Sequence, residues 1–409
     1  MSIVIVGTLD TKEEPLGFAR EVMERAGAET HVVDAGVLGD PGVEPDTTAA
    51  TVAAAGDASL DALRTARDRS DAMAAMGRGA ARIVTRLHAE GRLDAVFGLG
   101  GSGNTSVASR AMRALPVGVP KLIVSTMASG NVAPYVGTRD VAMLHSVVDI
   151  EGLDPISRTV VENGARAVVG MTGTDASVET DRPTVAITMF GVTTPCVRTA
   201  REYLDDRGYE TLVFHATGTG GRAMEELIAD GVVDGVLDVT TTELTDELAG
   251  GVLSAGPDRL RAAGRRGIPQ VVVPGATDVI NFGPPESVPA SLDDRRRVAH
   301  NPQVTLVRTA ADEAAAVGAD IAAKLGDATG PTALALPLGG TSELAVEGGP
   351  FHDPEADAAL FDALRDGIDD DVERIEMATD VNDPAFARRI ARRLDAYLRS
   401  SGAAPACDS

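Results

Sequence analysis

Short β-branched runs that alternate with Ala-, Arg- and Glu-rich amphipathic stretches predict an α/β chain with mainly parallel sheets. Two further observations divide it into two doubly wound domains. Glycine- and threonine-rich turns sit where apolar runs pass into helical pattern, and a stretch nearly free of apolar side chains, TGTDASVETDRP at 172–183, separates two such series. The domains are placed at 1–175 and 184–400, with a disordered tail at 401–409.

In the first domain strands are predicted at 3–6, 30–33, 95–99 and 122–125, and helices at 16–26, 59–90 and 106–115, with Gly77 and Gly79 as break points in the long one. In the second, strands fall at 185–190, 211–216, 233–239 and 270–275, and helices at 196–207, 222–229, 257–266 and 312–325. The two halves share a plan. VIVGTLDT opens the first and AITMFGVTT the second, and each later carries a glycine turn feeding a helix, FGLGGSGNTS and ATGTGGRAME. Both domains are therefore Rossmann-like, and in such sheets a ligand lies outside the carboxyl ends of the strands.

Composition narrows the function classes. Apolar residues at 44% exclude a largely disordered chain, while 3% aromatics and no Trp offer no stacking platform for single-stranded nucleic acid. With 61 acids against 37 bases, the net charge of −24 repels a phosphate backbone, so no nucleic-acid partner is expected. An acid-rich surface with few lysines suits a salt-rich cytoplasm. The start, MSIVIVGTLDTKEE, lacks a basic n-region and long apolar h-region, and no apolar run reaches the roughly 18 residues a bilayer span needs; a cytoplasmic chain with no membrane association is expected. Cys196 and Cys407 form neither a disulfide framework nor a metal spacing, and Cys196 reads as buried core.

The turn at 98–105 has the glycines that let backbone approach an anion and the helix start that attracts one. It matches G-x-G-x-x-G, but the next strand, KLIVST, ends without the acid of a dinucleotide site, and no P-loop occurs. Phosphate remains the favoured ligand, with a glycine turn needed only for packing as the alternative. Lys12, at the end of the first strand's turn, could face that phosphate, and Asp34, at the end of the second strand, could accept ribose hydroxyls. STMASGN at 125–131 places hydroxyls on the same sheet edge, and Asp149 ends another apolar run, where a base, a ribose or magnesium could meet it. In the second domain His215, beside the turn Gly218–Gly221, and Glu243, after the next strand, are candidates for general acid/base work, against the alternative of a packed strand-end histidine.

Taken in order, GTLDTKEE, DRSDAMAAMGRGA, GLGGSGNTS, STMASGN, YVGTRDVAMLHSVVDIEGLDPISR, ITMFGVTTPCV, FHATGTGGRAME, GVLDVTTTEL and IPQVVVPGATDVINF resemble the Tm-one-like ATP-binding family. That family includes the amino-terminal inhibitory region of a plant tobamovirus resistance protein. The resemblance implies two Rossmann-like domains, ATP in the first with magnesium as a candidate ion, and assembly into a homodimer or higher homo-oligomer. Carried onto this chain, the nucleotide would meet Thr8, Asp10, Thr11 and Lys12, then Gly100, Gly101, Ser102, Gly103, Asn104 and Thr105, and then Ser125, Thr126, Met127, Ala128 and Ser129. Two readings of function stand: an ATP-binding module, and an enzyme acting with His215 and Glu243 on a small substrate, phosphorylated or not, between the domains. An NAD-linked oxidoreductase is disfavoured by the missing acid after KLIVST.

Overall fold

The computed structural model describes residues 1–172 and 181–405, so most of the boundary loop expected at 172–183, and Cys407 in the tail, lie outside the described residues. The chain divides into two compact units, Met1–Val178 and Glu179–Ser409.

In the first unit the elements follow as β1 (Ser2–Gly7), α1 (Leu9–Arg25), β2 (Glu29–Asp34), α2 (Ala49–Ala55), α3 (Leu60–Ala66), α4 (Arg69–Ala89), β3 (Ala95–Gly100), α5 (Ser102–Arg113), β4 (Lys121–Ser125), α6 (Ala133–Val136), β5 (Ala142–His145) and α7 (Pro155–Met171). The sheet runs β2-β1-β3-β4-β5, with every pair parallel. Alternate residues of β1 serve its two faces, as strand pleating requires. Ile3 and Ile5 pack with Phe18, Val22 and Val161 of α1 and α7, and Val4 and Val6 with Ile83, Val107 and Met112 of α4 and α5. The order reverses at β1 and β3, which opens a crevice at their carboxyl ends.

The helices begin earlier than their apolar periodicity suggests. The one expected at 106–115 starts at Ser102, so the glycine turn is itself the first helical turn. The one expected at 16–26 starts at Leu9 and tolerates Pro15 through a kink at Lys12 (φ −132°, ψ 24°). The span 59–90 breaks at Arg67, in left-handed conformation with φ 53°, and restarts at Asp68, whose carboxylate accepts the Asp71 amide at 3.0 Å. Gly77 and Gly79 instead lie inside α4. A Cβ on Gly79 would stand 1.9 Å from the Val52 carbonyl oxygen, so this glycine lets α2 and α4 touch rather than ending a helix.

The second unit comprises β6 (Thr184–Met189), α8 (Thr194–Asp205), β7 (Glu210–His215), α9 (Thr219–Ala229), β8 (Gly235–Thr240), α10 (Thr242–Ala249), α11 (Ala262–Arg266), β9 (Gln270–Gly275), β10 (Val279–Phe282), β11 (Arg297–Asn301), β12 (Val304–Arg308), α12 (Ala311–Gly326), β13 (Thr332–Pro337), α13 (Pro354–Gly367), β14 (Glu373–Met377) and α14 (Pro384–Ser401). Its parallel sheet runs β14-β13-β9-β8-β6-β7, the same winding order as the first sheet with one strand added. An antiparallel sheet, β10-β12-β11, is inserted after β9 and was not expected from the sequence, where its strands are runs of only four or five residues. The helix expected at 257–266 shrinks to Ala262–Arg266 because Leu260 sits at φ 72°. Of the expected tail, Ser401 closes α14 and the Ala403 amide donates to the Leu398 carbonyl; residues 406–409 lie outside the described residues. No described helix is long and apolar enough to cross a membrane.

Candidate functional site

A cavity of about 1190 Å³ opens along the carboxyl edge of the first sheet, and every one of its five strands ends at it. Thr8, Asp10, Thr11 and Lys12 line it from the start of α1, residues 101–104 from the start of α5, and Thr126 and Met127 from the turn after β4. These are segments the sequence reading brought together. Gly100, Thr105, Ser125, Ala128 and Ser129 do not line it. Thr105 and Ser125 are fully buried, with their hydroxyls 2.7 Å apart, and Ser125 Oγ accepts the Met127 amide at 2.9 Å, so they brace the turns from behind. Gly100 has φ 148°, a value that favours glycine, and a Cβ there would lie 2.9 Å from Asn104 Cβ.

The start of α5 is built for an anion. Gly101 is the N-cap and supplies no side-chain cap, so the first amides of the helix have no intrahelical acceptor. Asn104 donates its Nδ2 to the Leu99 carbonyl, while its Oδ1, in a residue only 5% exposed, has no partner among the described residues. Lys12, Arg64, Arg67 and Arg69 also line the cavity. Arg64 is committed to the Val37 and Gly39 carbonyls and to Asp40, but among the described residues no ion pair holds Lys12, Arg67 or Arg69. Unpaired cations at one opening are notable in a chain of net charge −24. The three arginines escaped the sequence reading. A signal was present, because Arg69 opens α4, where the helix dipole disfavours a cation unless an anion offsets it.

The two strand-end acids divide their work differently from the expectation. Asp34 is buried at the end of β2, away from the cavity lining; its Oδ1 accepts the Leu9 amide at 3.1 Å and the Gly36 amide at 2.9 Å. Burial pushes its carboxyl up from the usual range, against those two hydrogen bonds. Asp34 thus fastens the first turn of α1 rather than offering a ribose contact. Asp10 does line the cavity: Oδ2 accepts the Val37 and Leu38 amides at 2.9 and 2.6 Å, and Oδ1 has no partner among the described residues. Val37, Leu38, Leu63 and Met73 form an apolar wall at that end. The opposite end is lined by residues 145–149, including Asp149, whose Oδ1 accepts the Ile150 amide at 2.8 Å.

The second unit treats its own glycine turn in the opposite way. By strand order the counterpart of residues 100–105 is 240–245, after β8, and not the Gly218–Gly221 turn after β7. Glu243, completely buried, accepts the Gly218 and Gly221 amides through Oε1 at 2.6 and 3.0 Å and Arg259 Nε through Oε2 at 2.7 Å. Arg259, also buried, makes a two-pronged pair with Asp238 at 2.6 and 2.8 Å and reaches Glu225 at 3.3 Å. Glu243 is therefore an internal anion for the second glycine turn, with neither oxygen free for acid/base work. His215 lies exposed at the end of β7, stacked on Phe190 with ring centroids 5.6 Å apart, and no recorded bond among the described residues joins it to Glu243. Cys196 is core, its thiol pushed up to about 12 by burial. No described group of three or more His, Cys, Asp or Glu is arranged to hold a metal ion.

The models of the uncharacterised protein family UPF0261 match the chain in two parts, the N-terminal domain over residues 1–177 and the C-terminal domain over 182–398. The chain belongs to the UPF0261 family. A UPF0261 protein of Clostridium tetani is 48% identical over 394 residues, covering 96% of this chain and 98% of that one, and one from Rhizobium meliloti is 46% identical, covering 94% and 96%. The tomato (Solanum lycopersicum) ToMV resistance protein Tm-1(GCR237) is 41% identical over 342 residues, which are 81% of this chain and 45% of the tomato protein. The Tm-one-like resemblance is thereby borne out. Acinetobacter baumannii MurG, a solved structure similar at 13% identity over 98% of this chain and 100% of that one, has a TM-score of 0.22, too low to bear on the fold.

This UPF0261 chain also strains its backbone at the cavity wall. Val147, 63% exposed, sits at φ 67°, an outlier for a β-branched residue, and the Val148 amide donates to the Ser146 carbonyl at 2.8 Å to close a γ-turn. Such strain costs about 1–3 kcal/mol, which exceeds the roughly 0.5–1 kcal/mol entropic cost of glycine. Val147→Gly should therefore stabilise the fold by about 1 kcal/mol in urea denaturation; a loss of stability would show that the valine packs more than its exposure implies.

Proposed function

We propose that the first unit binds ATP along this edge, with its phosphates on the first amides of α5 and its base toward Val37, Leu38 and Leu63. The observation that carries the reading is the uncapped start of α5 facing a cavity that holds Lys12, Arg67 and Arg69, none of them in an ion pair among the described residues. Amides at a helix start and cations in a recess attract a polyanion without a P-loop lysine. The apolar end suits a nucleobase, and the two ends together lie along five strands, roughly 19 Å at about 4.8 Å per strand, room for a nucleotide. That the anion is ATP, with or without magnesium, and that the protein is a homodimer or higher homo-oligomer rest on the family resemblance.

Calorimetric titration with ATP and with NADH, each with and without magnesium, tests the reading. ATP should bind and NADH should not; binding of NADH alone, or of neither, refutes it. Arg69→Ala or Lys12→Ala should weaken ATP by about 1.5–3 kcal/mol, on the order of 10- to 150-fold in Kd, the scale of a charged hydrogen bond.

A further inference from the structure

We infer that the β4–β5 end of the cavity is a second subsite that seats an oxygen nucleophile, water in its simplest form, with His145 as the base that activates it for attack on the terminal phosphate. This rests on the proposed ATP reading. Gly100, Ser125 and His145 are in register across three neighbouring parallel strands. Residues in register share a face of the sheet, and Ser125, bonded to Thr105 of α5, shows that this face is the one α5 covers. His145 thus lies two strands, about 10 Å, from the glycine that precedes the phosphate-binding turn, on the same side. A nucleophile seated between His145 and a phosphate on the α5 amides fills that interval.

The imidazole is free to serve. His145 lines the cavity, and among the described residues its buried Nδ1 has no hydrogen-bond partner, nor have Asp10 Oδ1 and Asn104 Oδ1 elsewhere in the lining. A buried polar atom without a partner calls for an explanation, and a catalytic role is one of those that recur. The chain beyond His145 is held in place, since the Ser146 amide donates to the Ser125 carbonyl at 3.2 Å and Ser146 Oγ to the Val148 carbonyl at 2.7 Å. The strained γ-turn at Val147 belongs to this end of the cavity and to no other. Backbone strain of this kind collects at active sites.

In the step itself the nucleophile's lone pair forms a bond to the γ-phosphorus while the bond from that phosphorus to the bridging oxygen breaks, its electron pair leaving with ADP. The nucleophile's proton passes to the His145 imidazole and then to bulk water. Arg67, Arg69 and Lys12 face the charge that gathers on the phosphate oxygens.

The test pairs ADP formation from ATP in water with the calorimetric Kd for ATP, in the parent and in His145→Gln, with His145→Asn as a second variant. A general base contributes about 10²- to 10⁴-fold, so ADP formation should fall at least about 100-fold while Kd stays within about threefold. If the parent binds ATP but forms no ADP, or if a folded variant matches the parent's rate, the subsite assignment is overturned and the nucleotide reading stands. If the parent does not bind ATP, both fall.

Discussion

Arg259→Met should destabilise the second unit by about 3–5 kcal/mol, measured by urea denaturation, because it leaves Asp238 and Glu243 buried with no counter-charge. The guanidinium is the hub: it reaches three carboxylates, and Asp238 is further tied to the Thr188 hydroxyl at 2.6 Å. Glu243 in turn holds the Gly218 and Gly221 amides, so the damage should spread to the turn before α9. Adding Asp238→Asn and Glu243→Gln to the variant removes the stranded charges and should restore part of the loss. A single Arg259→Met change costing less than about 1 kcal/mol would mean that the network is far better solvated than its burial indicates.

Gly101→Val should abolish the stabilisation that ATP confers while leaving the fold intact. Its backbone, at φ −82° and ψ −165°, is open to any residue, and the nearest atom to a Cβ there is Thr126 Oγ1 at 3.8 Å. The new methyls would enter the space in which a phosphate reaches the α5 amides. At ATP concentrations 100-fold above Kd the parent should gain about 2.7 kcal/mol, and the variant close to none. Gly100 and Gly103 are poorer probes. The first needs φ 148°, and a Cβ on the second would approach Arg69 Nη2 at 3.2 Å, so either change alters more than the phosphate space. ATP stabilising Gly101→Val as it does the parent would remove the phosphates from α5.

Much of the first unit's site was legible because its determinants are local. Thr8–Lys12, the glycine turn and Thr126 lie within a few residues of a strand end, and in a parallel sheet all such ends collect on one edge. Arg64, Arg67 and Arg69 were not legible, since they reach the cavity from a corner between helices that exists only because Arg67 turns left-handed. His145 was missed because β5 is four residues long and mostly half-buried, too short for a clear alternation.

The sequence by itself determined the α/β character of the two units and the edge where a ligand would lie, for periodicity and turn chemistry are properties of neighbouring residues. Only the tertiary structure decided which like residue does which work. Asp10 and Asp34 both follow strands, yet one faces the cavity and the other pins a helix start. Two turns feed helices, yet that of the first unit is left open to an anion, while Glu243 fills the amides of the second from within, balanced by an arginine sixteen positions away. Burial of a charge depends on what surrounds it in space, and its partner can come from anywhere in the chain.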